Sequence, residues 1–419
     1  MSRTWKTMMT RERFLQGVLV LMALTSQISA AATSILITIG LLCAIYDFAH
    51  HRERLRLDYH IGEIFLVYAL ALLIGQLMVF PIGQGGREAF GTLFDMMPFF
   101  LMMLYVKSWK MAGAVLAAFG CSVFLHDIAS FFQMYHYLCA RVPIGRLYGL
   151  TKHPSFLGTF LLLSLPLLAF LPRAAGLARR KRWMMYVIAA SSFLVLLFSQ
   201  SRGSWMGLAG VMLLLVVLGF RQKKAYWKVA GVFIALFLVL LLSVPSLQRR
   251  AETLADPNFV SNSERILMWK GAVEIWKDHP VFGIGVGNYK SYYNSPQYLS
   301  PMAKETLHPH PHNYFLKILC EQGTWGFVAF LLMHGMVAWQ LYRCWRNPQG
   351  KQGQTAALCG LLAFAGFHLE GMTDCTLQIL NIARSYWLVL GFCLAASQLK
   401  DDATGADGKT EHEKSFDEG

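Results

Sequence analysis

"RRKRWMMYVIAASSFLVLLFSQSRGSWMGLAGVMLLLVVLGFRQKK", residues 179–224, decides the fold class. Basic clusters bound two apolar runs, 183–200 and 204–220, and only a tight turn around Arg202 separates them. Each run is about the length an α-helix needs to cross the roughly 30 Å hydrocarbon core of a bilayer. Backbone N–H and C=O groups find no water there, so an isolated run of this kind is satisfied only as a helix. The stretch reads as a membrane hairpin, with its basic ends on one side and its turn on the other.

The pattern recurs along the chain. Of 419 residues 55% are hydrophobic and only 15% charged, against about 25% charged in a soluble protein; the mean hydropathy is +0.42. Candidate spans are 14–29, 32–49, 61–80, 92–106, 110–130, 155–172, 183–200, 204–220, 226–244, 324–343, 354–372 and 376–396. No strand pattern competes. The expected fold is an all-α polytopic integral membrane protein of about twelve transmembrane helices, with a long outer segment between the ninth and tenth that contains short helices.

Lys and Arg in the short loops set the orientation. They cluster before the first span (Arg3, Lys6, Arg11, Arg13) and after the second (Arg52, Arg54, Arg56), fourth (Lys107, Lys110), sixth (Arg173, Arg179 to Arg182), eighth (Arg221, Lys223, Lys224) and tenth (Arg343, Arg346, Lys351). These loops share one side, the cytoplasm. The organisation is then a cytoplasmic N-terminus at 1–13, nine helices over 14–244, an outer segment at 245–323, three helices over 324–396 and a cytoplasmic tail at 397–419. The small residues after the first run resemble a cleavage site, but the run is read as an anchor. The net charge of +14 is explained by this topology, so no nucleic-acid partner is expected; membrane lipids are. The eight cysteines show no CxxC spacing and are expected to act as small apolar residues.

Some charges break the rule. Arg141, Arg146 and Lys152 lie in the outward segment 131–154, Arg202 in the tight turn, and Arg249, Arg250, Arg265 and Lys270 in the long segment. Long loops translocate regardless of charge, so Arg249 and Arg250 carry little weight. An arginine at a helix centre costs about 2.5–3.5 kcal/mol, less near the interface. Arg202 is therefore either a snorkelling interfacial residue or an anion-binding group. His126, Asp127, His368, Glu370, Asp374 and Arg384 sit in or beside spans, mostly towards their outer ends, and suggest one polar cavity open to the outer side. A transporter places such groups at the midplane of repeated halves; neither feature is visible.

The outer segment predicts a helix over 263–278, capped by Asn262 or Ser263 and ended by Pro280. "GIGVGN", 283–288, reads as a flexible turn. "HPHPHNYFLKILCEQGTWG", 308–326, presents three histidines before an apolar run. Alternation with proline predicts an extended segment whose imidazoles need not converge, and no fourth ligand is near, so no metal is expected. Asn313 to Gln322 is too short to span and predicts a short helix at the outer leaflet, bent at Gly323 and Gly326.

These motifs carry a resemblance. His312, Asn313, Gly323 and Gly326 fit a pattern of His, then Asn, Ser or Gln, nine residues, Gly, two residues, and Gly, Thr or Tyr. With "SQSRGSWMG", "SERILMWKGAVEIWKDHPVFGIGVGNY" and the many spans, the chain over roughly 14–396 resembles the bacterial O-antigen ligase family. The resemblance implies an inverting, metal-independent glycosyltransferase without cofactor, in the inner membrane with its site at the periplasmic face. Its partners would be an undecaprenyl pyrophosphate-linked glycan donor and a lipid A–core acceptor. It implies catalysis by His312, pyrophosphate binding by Arg202 and Arg265, and support from Asp374 and Arg146, with Asn313 beside the histidine.

The residue chemistry agrees. A glycosyl pyrophosphate is already activated, so its leaving group needs charge stabilisation rather than the paired carboxylates of glycosidases. Arginines supply bidentate, permanent charge. Histidine, with an ordinary pKa of about 6.5, suits proton removal from an acceptor hydroxyl near neutral pH; Asp374 or Glu370 are candidates to orient it. The alternatives are a glycan polymerase or protein O-oligosaccharyltransferase, and, from another class, a lipid-linked glycan transporter.

Overall fold

The computed structural model describes residues 3–51, 59–79, 84–222, 224–254, 256, 259–304 and 309–401. Arg52, Arg54, Arg56, Lys223, His308 and the tail from 402 onward lie outside the described residues. The protein is 79% helical, with no strand among the described residues, as the apolar runs require.

The elements in order are α1 (Arg3–Thr25), α2 (Ala30–His50), α3 (Tyr59–Val79), α4 (Gln84–Asp95), α5 (Met97–Tyr105), α6 (Trp109–Cys139), α7 (Pro154–Ala174), α8 (Arg179–Phe198), α9 (Arg202–Gln222) and α10 (Lys224–Ser243). There follow α11 (Pro245–Glu252), α12 (Val260–Asp278), α13 (Tyr289–Tyr293), α14 (Tyr314–Arg346), α15 (Lys351–Glu370) and α16 (Leu380–Ser397). Local chemistry sets many of the ends. Ser29 and Ser108 cap α2 and α6 by accepting from Ala32 N and Met111 N, the ordinary role of serine at a helix start. Pro154 opens α7, where its missing N–H costs nothing.

Seven of these helices are long and apolar enough to cross a membrane, or eight if α10 and α11, bent by 98° at Pro245, count as one. Every predicted span falls on a helix, with one correction. The expected span 92–106 is broken at Met96 into α4 and α5. Pro98 has no N–H to offer Phe94 O and its ring crowds that carbonyl, which favours a break here, although α7 runs on through Pro166 and Pro172. The first half is amphipathic, whereas α5 is buried, with Phe99, Leu101 and Met102 fully enclosed.

The core is built on α7 and α16. Residues 160–163 of α7 and 386–396 of α16 are almost wholly inaccessible. Helix α15 packs on α7 and α9, α16 on α5, and α14 on α3. The eight cysteines are free thiols.

The outer segment has its own small core of Met268, Ala272, Ile275, Ile284, Tyr289, Tyr293 and Cys320. Here α12 ends as expected before Pro280 but starts at Val260, not 263. Asn262 does not cap it; its amide donates to Thr253 O and Asp256 O. Helix α14 is bent at Gly323, which adopts φ 65° and ψ −173°. The break strands backbone groups on both sides, and the glycine-rich turn satisfies them. Ile284 N and Gly285 N donate to Cys320 O and Glu321 O, while Thr324 N and Trp325 N donate to Pro280 O and Val281 O. The turn at 283–287 is thus a fixed clasp on the bend rather than the flexible turn expected from its glycines.

Candidate active site

Three turns meet at one end of the bundle. The first is 199–202, between α8 and α9. Gln200 takes φ +51°, a conformation that costs a non-glycine residue energy and recurs at functional sites. The strained turn presents its carbonyls outward. Ser199 O accepts from Arg146 Nε at 3.4 Å, and Gln200 O from Arg250 Nε at 2.9 Å. Arg202 follows directly, 5% exposed, and donates to Thr253 O and Ser261 Oγ at 2.8 and 2.9 Å. Its guanidinium also lies over the Phe259 ring.

The second turn, 371–374, follows α15. It packs closely on the start of α9: a Cβ at Gly203 would meet Thr373 Oγ1 at 2.7 Å. The third is the approach to α14. Tyr314 N donates to Gly371 O at 2.9 Å, and Asn313 caps α14 by accepting from Leu316 N. Between them His312 takes φ +49°, which turns its ring toward the second turn. Its Nδ1 lies 3.2 Å from Asp374 Oδ1. The same oxygen accepts from Cys375 N at 2.9 Å. Asp374 is 7% exposed. With Nδ1–H directed at the carboxylate, Nε2 is the acceptor nitrogen of the ring. Glu370, the other candidate for orienting the imidazole, is instead held by Thr159 and Thr376.

The electrostatics join the turns. Burial favours the neutral carboxyl of Asp374, but the hydrogen bond and charge of His312, with His310 and Arg265, hold it well below the usual carboxylate range. Arg146 is pushed below its ordinary value by burial and by the like charges of Arg202 and Arg265, with Asp374 opposing. Arg202 feels Arg250 and Arg265, and Arg250 feels Arg146 and Arg265. Arg265 Nε is buried with no hydrogen-bond partner among the described residues. Four guanidinium groups therefore share one region, with Asp374 and Glu370 as carboxylates near it. Such a concentration is complementary to an anion of more than one charge.

The structure thus gathers Arg146, Arg202, Arg265, His312 and Asp374, while Asn313 serves as a helix cap. Two residues were missed. Arg250, set aside as a loop charge, is brought back by the bend at Pro245. His153 caps α7; burial and the charge of Arg146 push its imidazole down. Two of the imidazoles, which an extended segment need not bring together, do converge. The His310 and His312 rings meet edge-on with centroids 4.4 Å apart, because the positive φ at His312 breaks the extended course. His310, His312 and Asp374 each place a ligating atom within 4.8 Å of the others, a set able to hold a metal through three protein donors. The single polar cavity expected from the membrane-embedded charges is also corrected. Asp127 binds Ser191 and Ser192, Arg384 pairs with Asp95, and His334 packs against His368. Asp127 and His334 thus sit in separate nests, each partnered on a neighbouring helix, whereas Asp95 lines a cavity that His310 also lines.

The described geometry is thus that of a many-helix membrane protein with a histidine–carboxylate pair beside clustered arginines. Comparison narrows the class. Residues 187–331 match the family model described as O-Antigen ligase, which bears out the resemblance read from the sequence. The matched segment contains Arg202, Arg250, Arg265 and His312. An uncharacterised protein of Haemophilus influenzae is 28% identical over 149 residues, an alignment covering 32% of this chain and 37% of that relative.

Proposed function

We propose that the protein is an O-antigen ligase: an inverting, metal-independent glycosyltransferase that moves a glycan from undecaprenyl pyrophosphate to a sugar hydroxyl of lipid A–core. On this reading the long apolar helices cross the bacterial inner membrane, both termini are cytoplasmic, and the site opens to the periplasm. The observation that carries the reading is the histidine–carboxylate pair placed within electrostatic reach of Arg146 and Arg265, which themselves feel Arg202 and Arg250.

The acceptor oxygen attacks the anomeric carbon as its proton passes to Nε2 of His312. The bond from that carbon to the pyrophosphate oxygen breaks, and its electron pair leaves with the lipid pyrophosphate. Attack opposite the leaving group inverts the anomeric centre. Arg202 and Arg265 hold the pyrophosphate, with Arg146 and Arg250 beside them. Donors aimed at developing charge contribute about 3–4 kcal/mol each in a site shielded from water. Asp374 orients the imidazole and stabilises its protonated form.

Reconstitution with undecaprenyl pyrophosphate-glycan and lipid A–core tests this. The expected product is glycan-bearing lipid A–core. Elongation of lipid-linked glycan without that product would establish a polymerase instead. Normal turnover by a membrane-inserted His312→Ala protein removes the base.

A further inference from the structure

A cavity of about 580 Å³ lies beside the histidine–carboxylate pair, within the roughly 300–1,000 Å³ typical of small-ligand sites. It reaches the pair through His310, whose ring touches that of His312, and through Cys375, the neighbour of Asp374. None of the four arginines lines it. Its wall carries the carboxylates of Glu88, Asp95 and Glu321 against the single ammonium of Lys317. Lys317 is bound to Glu321 at 2.8 Å, and Asp95 to Arg384 at 2.7 Å. Glu88 therefore adds a negative charge that neither pair cancels. Aromatic rings of Tyr68, Tyr314 and Trp387 complete the wall.

The pair thus has two unlike sides, one cationic and one acidic and aromatic. A single displacement needs leaving group and nucleophile on opposite sides of the reacting carbon. We infer that this cavity is the acceptor subsite, and that it takes a sugar terminus bearing neither phosphate nor carboxylate. The inference rests on the glycosyltransferase reading above. Hydroxyls of a neutral sugar can donate to the carboxylates, and its apolar C–H face can lie on the aromatic rings. A phosphate in the same place would meet the uncancelled charge of Glu88, with Lys317 already committed to Glu321 and Arg384 to Asp95.

Two variants test the subsite in the reconstituted full-length protein. Gly91 lines the cavity, and a Cβ there meets no atom within 4 Å. Gly91→Trp fills the space. The expected result is an acceptor KM raised about tenfold or more, with the donor KM and acceptor-free donor hydrolysis unchanged. A raised donor KM with an unchanged acceptor KM overturns the inference. Glu88→Lys keeps the volume open, so it decides the matter if Gly91→Trp does not fold. It should shift preference about tenfold toward an acceptor phosphorylated on its terminal sugar; an unchanged preference overturns the charge argument. If the wild type extends lipid-linked glycan but leaves lipid A–core untouched, the ligase reading fails separately. The Gly91→Trp measurement, with lipid-linked glycan as acceptor, then still decides the subsite.

Discussion

Replacing Asp374 by asparagine removes a charge while keeping the shape, and the geometry fixes how much activity should be lost. In serine-protease triads the same exchange costs about 10⁴-fold, because the amide stabilises the wrong imidazole tautomer. Here both contacts fall on a single oxygen: His312 Nδ1 at 3.2 Å and Cys375 N at 2.9 Å both address Asp374 Oδ1. An amide NH2 in that position would face the Cys375 N–H, so asparagine keeps its oxygen there and the tautomer survives. What is lost is the charge assistance, the difference of about 1–1.5 kcal/mol between a charged and a neutral hydrogen bond. At about 1.4 kcal/mol per tenfold, turnover should fall roughly 5- to 12-fold. Single-turnover transfer from undecaprenyl pyrophosphate-glycan in lipid nanodiscs measures it. In a His312→Ala background Asp374→Asn should have little further effect, since the carboxylate acts through the ring. Wild-type turnover in Asp374→Asn, or a full additional loss in the double variant, refutes the reasoning.

Arg250→Ala should raise the donor KM about tenfold while leaving the acceptor KM unchanged, as expected for one member of the arginine cluster; equal donor KM values would show that Arg250 only props the turn at Gln200. Exhaustive chelation should leave turnover intact; loss on chelation with recovery on adding zinc would show that His310, His312 and Asp374 hold a working ion. Gly323→Ala should lower the thermal midpoint of the purified protein, because a Cβ at φ 65° would lie 2.2 Å from Val281 O, a strain above about 1 kcal/mol; Gly335→Ala, in open space, is the control. Because Asp374 is held below its unfolded value of about 3.9, its stabilisation is present above that pH and is lost as pH falls through the lower native value. The difference in melting temperature between wild type and Asp374→Asn should therefore stay constant from pH 8 to 5 and shrink below about pH 4.

The helices were legible because each had to bury an apolar run in a medium without hydrogen-bonding water, and that constraint acts residue by residue. The break at Met96 was not, since the run around Pro98 is as apolar as its neighbours; the proline alone carried the signal. At the site, Arg202 stood out through its place between two spans, and His312 through its spacing to Gly323. Arg250 had no such mark. Its role depends on the 98° bend at Pro245, which returns a loop residue to the strained turn at Gln200. Convergence of His310 on His312 was hidden for a similar reason, since a positive φ at a non-glycine residue leaves no trace in composition.

The partners of the arginines explain why the cluster exists at all. Arg146, Arg202 and Arg250 donate to Ser199 O, Thr253 O, Ser261 Oγ and Gln200 O, all neutral acceptors. Paired with carboxylates, the same guanidiniums would be cheaper to bury but would already have spent their charge. Neutral partners fix geometry and leave the charge to be balanced by something that arrives. The embedded Arg384 shows the contrast, because it is neutralised by Asp95 and adds no net charge to the bundle. The carboxylates near the cluster are committed elsewhere: Asp374 is turned toward His312, and Glu370, which also feels Arg265, accepts from Thr159 and Thr376. On the proposed reading, charge that is held in place but left uncancelled is what a leaving pyrophosphate requires. The strained backbone at Gln200 and His312 follows from the same demand: carbonyls and an imidazole must point where regular helix geometry would not send them.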